Sequence, residues 1–175
     1  MSRATKLSKQ RKAKAHEIYL RGQKQQDEGN LKSGFRLLLR AAKLGDSGAQ
    51  HNLGYTYDVG IGVRPNRAAA MYWYKKAYNN RRGGGLPATN IGTIFRDEQN
   101  YPEAVRWFRR AVRHGIADAN LEIARIYLMN PKQHEKAIPC LKAVLKGTPP
   151  IGVGEDTQHE ARKLLKRIEK ENKKS

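Results

Sequence analysis

Residues 53–57, Leu53-Gly54-Tyr55-Thr56-Tyr57, return as Ile91-Gly92-Thr93-Ile94-Phe95 and again as Ile123-Ala124-Arg125-Ile126-Tyr127. Each copy is a branched apolar residue, a tiny residue, two spacers and an aromatic ring. A second block follows each: Ala70, Trp73, Tyr74 and Ala77; Ala104, Trp107, Phe108 and Ala111; and a weaker Ala137, Cys140, Leu141 and Ala143. An earlier, degenerate copy runs through Gly22, Gly29, Leu31, Gly34, Leu38 and Ala41, with Gln25 where a ring is expected. The closing alanines at 41, 77, 111 and 143 are 36, 34 and 32 residues apart. A period in this range signals helix pairs stacked as a solenoid.

The pattern has a direct physical reading. Two paired helices approach closely only where one offers a tiny side chain, so Gly54, Gly92 and Ala124 mark the crossing within each pair. The rings of Tyr57, Phe95 and Tyr127 are expected to fill the wedge between a pair and the next one. A single pair leaves an apolar face bare, so stability must come from stacking neighbours. Helices are expected over 12–28, 31–44, 47–59, 66–79, 86–98, 102–114, 117–129 and 133–146, with a capping helix near 157–172. Thr157 and Glu160 have the spacing of a capping box for that last helix, and Ala161, Leu164, Leu165 and Ile168 form its apolar stripe. The fold class is therefore all-α, about four helix-turn-helix units over 12–45, 46–80, 85–115 and 116–147, closed by a capping helix and basic tail over 155–175.

The charge is large and uneven. The chain has 35 Lys and Arg against 16 Asp and Glu, a net +19. Residues 1–26 carry +7 of this and residues 160–175 carry +4. More than half of the excess thus sits at the ends, and residues 1–11 are expected to be a basic, frayed and disordered arm. Cys140 is the only cysteine, so there is no internal disulfide framework and a reducing, cytoplasmic setting is expected. No early apolar stretch has the length of a signal peptide or a membrane span.

Residues 49–78 carry a closer likeness. Ala49-Gln50-His51-Asn52-Leu53-Gly54, Tyr57, Gly60-Ile61-Gly62-Val63, Ala70, Trp73-Tyr74 and Lys76-Ala77 resemble a Sel1-like repeat of the tetratricopeptide superfamily. The extended Gly-x-Gly-Val loop separates that family from a plain tetratricopeptide. Leu53 to Ala77 spans 24 residues, whereas Ile91 to Ala111 and Ile123 to Ala143 each span 20. The resemblance implies a right-handed α-solenoid whose first helices line a concave groove, in proteins that act as adaptors or scaffolds. It names no ligand.

By repeat register, the groove would present His51, Asn52, Tyr55 and Asp58 from the second unit. The third would add Thr89, Asn90, Thr93 and Arg96, and the fourth Asp118, Glu122 and Arg125. Asn52 and Asn90 each precede the apolar-Gly pair, where related repeats bond a peptide backbone, and an amide both donates and accepts. The competing reading makes them ordinary solvent-facing residues or contacts to a neighbouring unit. The second helices are basic at Lys75, Lys76, Arg81, Arg82, Arg106, Arg109, Arg110, Arg113, Lys142 and Lys146. That charge suits phosphate or an acidic partner, or else a solvated face whose long side chains shield apolar surface.

Other motifs point away from chemistry. Gly83-Gly84-Gly85 and Gly152-Val153-Gly154 lack the Lys-Ser/Thr of a nucleotide loop. His114, His134, His159 and Cys140 match no zinc spacing. Cys140 reads as a small core residue and Tyr72 as the exposed ring of its cluster. No nucleophile-base constellation has a recognisable signature. The expected function is a non-enzymatic interaction module, with no cofactor, metal, membrane or small-molecule substrate. It would hold a protein or peptide segment, favouring acidic partners; the alternative is nucleic-acid binding through the basic convex face and tails.

Overall fold

A computed structural model of the chain describes residues 3–80, 84–147 and 154–172. Among these there are nine α-helices and no strand: α1 (Arg3–Asp27), α2 (Leu31–Lys43), α3 (Ser47–Val59), α4 (Arg67–Asn79), α5 (Gly85–Asp97), α6 (Tyr101–Arg113), α7 (Ala119–Leu128), α8 (His134–Lys146) and α9 (Glu155–Asn172). The helix pairs are those of a helical repeat solenoid. Two compact units form, residues 1–87 and 88–175.

Polar side chains cap the starts of α3, α4 and α6. Asp46 accepts from the Ala49 amide at 2.7 Å to start α3, and Asn66 accepts from Ala69 at 2.9 Å to start α4. Gly60 ends α3 in the left-handed region at φ 89°, and Gly62 follows at φ 70°. A Cβ on Gly62 would meet Leu31 at 2.8 Å, so the extended loop can lie against the start of α2 only with glycine there. Gly84 also lies at positive φ, just ahead of α5, while Gly83, Gly152 and Val153 are outside the described residues.

In the first unit, α1 pairs with α2, α3 with α4, and α2 packs on α3. Leu38, Ala41, Ala42, Ala49, Leu53 and Ile18 form its buried cluster, with Trp73 of α4 packed against it. In the second unit, Ala124, Ala137, Leu141, Val144, Ala161 and Ile168 form one cluster, which fixes α9 on α8. Leu164 and Leu165 join its edge, as the apolar stripe predicted.

Each expected crossing is present. A Cβ on Gly54 would stand 2.5 Å from the Tyr74 ring, and one on Gly92 would stand 2.8 Å from Phe108. Ala124 shares its cluster with Leu141, so a larger small residue faces a smaller large one. The volumes across each crossing compensate, as close packing demands.

Four expectations are corrected. The helix placed over 12–28 begins at Arg3, so residues 3–11 belong to α1. The closing position of the last pair is Val144 and not Ala143: Val144 is buried and Ala143 exposed, which makes the final step 33 residues. Thr157 lies inside α9 and does not cap it; α9 begins at Glu155, and Glu155 and Asp156 place negative charge at its N-terminus. Two of the rings, Tyr57 and Tyr127, reach backwards to the preceding pair. Tyr57 meets Phe35 of α2 edge-on at 5.5 Å, and the Tyr127 hydroxyl accepts from Arg109 of α6 at 3.1 Å. Tyr57 and Tyr127 therefore tie their own pairs to the preceding ones. The equivalent Gln25 has no preceding pair among the described residues, and its amide donates to Glu28 at 2.8 Å.

Candidate functional site

The first-helix positions expected to line a groove are treated unit by unit. On α3, Tyr55 and Val59 lie one turn apart and are 48% and 55% exposed, and Leu20 on α1 is 51% exposed. His51 is half-buried, with its ring 5.8 Å from that of Tyr74. Burial pushes its pKa below the usual histidine value, against an upward pull from the Asn52 amide. Asp58 is half-buried.

Asn52 reaches the preceding pair. Its Nδ2 donates to the Tyr19 hydroxyl at 3.2 Å, joining α3 to α1 of the preceding pair. The Tyr19 pKa is raised, chiefly by burial and then by the Asp46 carboxylate. The contact to a neighbouring unit, one of the two readings open for this amide, is present. Asn90, like Thr89 and Thr93, is half-buried.

In the second unit, Arg96, Glu122 and Arg125 come together. Glu122 takes an ion pair from Arg96 on one side and from Arg125 on the other. Arg96 also reaches Asp97 at 3.1 Å, and Arg125 continues to Glu160 of α9 at 2.6 and 3.0 Å. The Glu160 bond is the main cause of the raised Arg125 pKa, and the same bond depresses that of Glu160. Beside this chain lies an open cleft of about 370 Å³ between α5, α7 and α9. Thr89, Asp118, Glu122 and Arg125 line it together with Asp156, Thr157 and Glu160, over apolar Ile116, Ala119 and Leu121. Four carboxylates and one guanidinium thus line the cleft, a local reversal of the chain's overall charge. The three α9 residues were missed as site residues because they belong to a different unit of the pattern; the capping reading of Thr157 and Glu160 was the only signal near them.

The basic positions behave individually. Lys76 lies over the Tyr72 ring at 5.6 Å, and Arg110 over Trp107 at 4.3 Å. Arg106 pairs with Glu103, and Arg109 bonds Tyr127. Lys75, Arg113, Lys142, Lys146 and Tyr72 are exposed. Arg81 and Arg82 lie outside the described residues. Cys140 is half-buried at the edge of the α7–α9 cluster, where burial raises its thiol pKa. No group of three or more metal-ligating side chains occurs among the described residues, and no helix there is long and apolar enough to cross a membrane.

Comparison with known proteins adds the following. The Sel1 repeat family matches residues 13–46, 47–81 and 92–116. A putative sel1-like repeat-containing protein, L21, of Acanthamoeba polyphaga mimivirus is 27% identical over 92 residues, 53% of this chain and 17% of that protein. The ERAD-associated E3 ubiquitin-protein ligase component HRD3B of Arabidopsis thaliana is 30% identical over 95 residues, 54% of this chain and 15% of that protein. The chain therefore aligns with only about a sixth of either relative's length. Among solved structures, a Sel1 repeat protein from Oxalobacter formigenes superposes with a TM-score of 0.63 at 27% identity, covering 77% of this chain and 59% of that one. MamA superposes at 0.58 with 22% identity, covering 87% and 95%, a likeness of fold alone.

Proposed function

This chain belongs to the Sel1 repeat family, and from that premise we propose that it is a non-enzymatic interaction module that holds a segment of a protein partner on its first-helix faces. Sel1 repeats are in general protein-interaction modules, and one relative is a component of a larger ligase assembly. The observation that carries the reading is the pair Tyr55 and Val59, large apolar side chains left exposed on α3 while the opposite side of that helix is buried. A partner chain covering them would remove apolar surface from water. In the second unit, the cleft between α5, α7 and α9 suits a cationic or amide side chain, because four carboxylates face it. The net +19 acts at longer range and steers acidic partners to the chain as a whole. A reducing, cytoplasmic setting fits the single cysteine.

A photo-crosslinking amino acid placed at Tyr55 and, separately, at the exposed Tyr72 of the second helices tests this. Protein crosslinks specific to position 55 and insensitive to nuclease are expected. Equal labelling from both positions, or no protein at 55, would remove the first-helix face as the partner surface.

A further inference from the structure

Helices α2 and α4 contain no acidic residue. Along α2, Lys32, Arg36, Arg40 and Lys43 fall on one face, all four are exposed, and none forms an ion pair among the described residues. Like charges at i,i+4 weaken an isolated helix. A merely solvated face usually interleaves signs, as α1 does with Lys24 and Glu28 and α6 with Glu103 and Arg106. This stripe does not.

The neighbouring second helix extends it. Trp73 of α4 packs against the buried cluster that also holds Leu38, Ala41 and Ala42 of α2, so the two helices contribute to one core. In the repeat register Tyr72 and Lys76 of α4 correspond to Arg36 and Arg40 of α2. Tyr72 is 53% exposed, is braced edge-on by Trp73 at 5.1 Å and has the Lys76 ammonium over its ring at 5.6 Å. Lys75 beside it is exposed as well. A row of free cations, with a braced and accessible ring at the corresponding position of the next repeat, supplies the two contacts a single strand needs, charge for its phosphates and a platform for a base. Steps of four residues advance about 6 Å along a helix, close to the distance between phosphates of an unstacked strand. A membrane surface is a poorer fit, because the apolar face of α2 is buried in the core and has nothing to insert.

We propose that the outer face of α2 and α4 binds single-stranded nucleic acid, with Lys32, Arg36, Arg40, Lys43, Lys75 and Lys76 on phosphates and Tyr72 stacking a base. This surface is distinct from the first-helix faces and does not depend on the protein-binding reading.

The test uses the full chain and fluorescence anisotropy with a labelled oligouridylate, a duplex of equal length and polyglutamate, between about 50 and 200 mM salt. Tight, salt-sensitive binding of the single strand is expected. R36E/R40E should flatten the log–log salt slope by about 1.4, at roughly 0.7 per phosphate lost. Tyr72→Ala should weaken the single strand roughly tenfold and leave the slope unchanged. The exposed pair K12E/K14E on α1 serves as a charge-matched comparison, and circular dichroism confirms that each variant is folded. Equal losses from the α1 and α2 reversals would mean diffuse attraction to net charge and overturn the proposal. So would a silent Tyr72→Ala with the duplex bound as tightly as the strand. Polyglutamate binding as tightly as the oligouridylate would make the surface one for acidic proteins instead.

Discussion

Gly54 lies so close to Tyr74 that a methyl group on it would stand 2.5 Å from the ring, in a helix crossing where Tyr74 is fully buried. The ring cannot swing away, so the approach of α3 to α4 depends on hydrogen at that position.

Gly54→Ala should therefore destabilise the protein. The alanine favours the helix by about 1 kcal/mol, but overpacking a core costs about 1–3 kcal/mol, and the second effect prevails where the neighbour is buried. G54A/Y74L, which copies the Ala124–Leu141 crossing, should recover part of the loss. Thermal melts of the single and double variants check both; a higher melting temperature for G54A alone would show that the crossing has room to spare.

Asn52→Ala and Tyr55→Ala should separate structure from recognition. The first removes the amide bonded to Tyr19 and should cost about 0.5–1.5 kcal/mol in urea unfolding. The second trims an exposed side chain and should stay within about 0.5 kcal/mol of the parent. Loss of binding, by Tyr55→Ala at unchanged stability, to the partner that crosslinking at position 55 identifies would tie the first-helix face to binding.

Stability should fall on acidification through His51. Burial depresses its folded-state pKa below the unfolded value of about 6.5. The unfolded chain then binds the proton more readily, so stability is fully present above the unfolded pKa and is lost as pH falls through the folded one. His51→Gln should flatten this decline, measured as the urea midpoint at successive pH values from about 7.5 downwards. An unchanged decline in the variant would place the sensitivity elsewhere.

The chain of ion pairs through Arg96, Glu122, Arg125 and Glu160 should anchor α9 more than it stabilises the fold. Arg125 and Glu160 are well exposed, so Arg125→Ala should cost no more than about 1 kcal/mol. Amide exchange along α9 should nevertheless quicken, because Glu160 loses its tie to α7. Exchange that is unchanged in α9 would mean that the Ala161 and Ile168 packing holds the helix alone.

What was legible in the sequence was what local rules encode. Tiny residues at crossings and the recurrence of Ala41, Ala77 and Ala111 are set within a turn or two of chain, and the helices of the two middle pairs lie within a residue of where that pattern put them. The weak copy misled by one residue, because Ala143 and Val144 both satisfy an apolar pattern and only burial separates them. The backward tilt of Tyr57 onto Phe35, the bond from Asn52 to Tyr19 and the bridge from Arg125 to Glu160 needed the folded chain. Those partners are 22, 33 and 35 residues apart, and no local spacing specifies which face of a helix meets which neighbour. Sequence periodicity determined that helices pair and stack; the packing of one pair on the next decided which polar side chains are used up in holding the stack and which remain exposed for a partner.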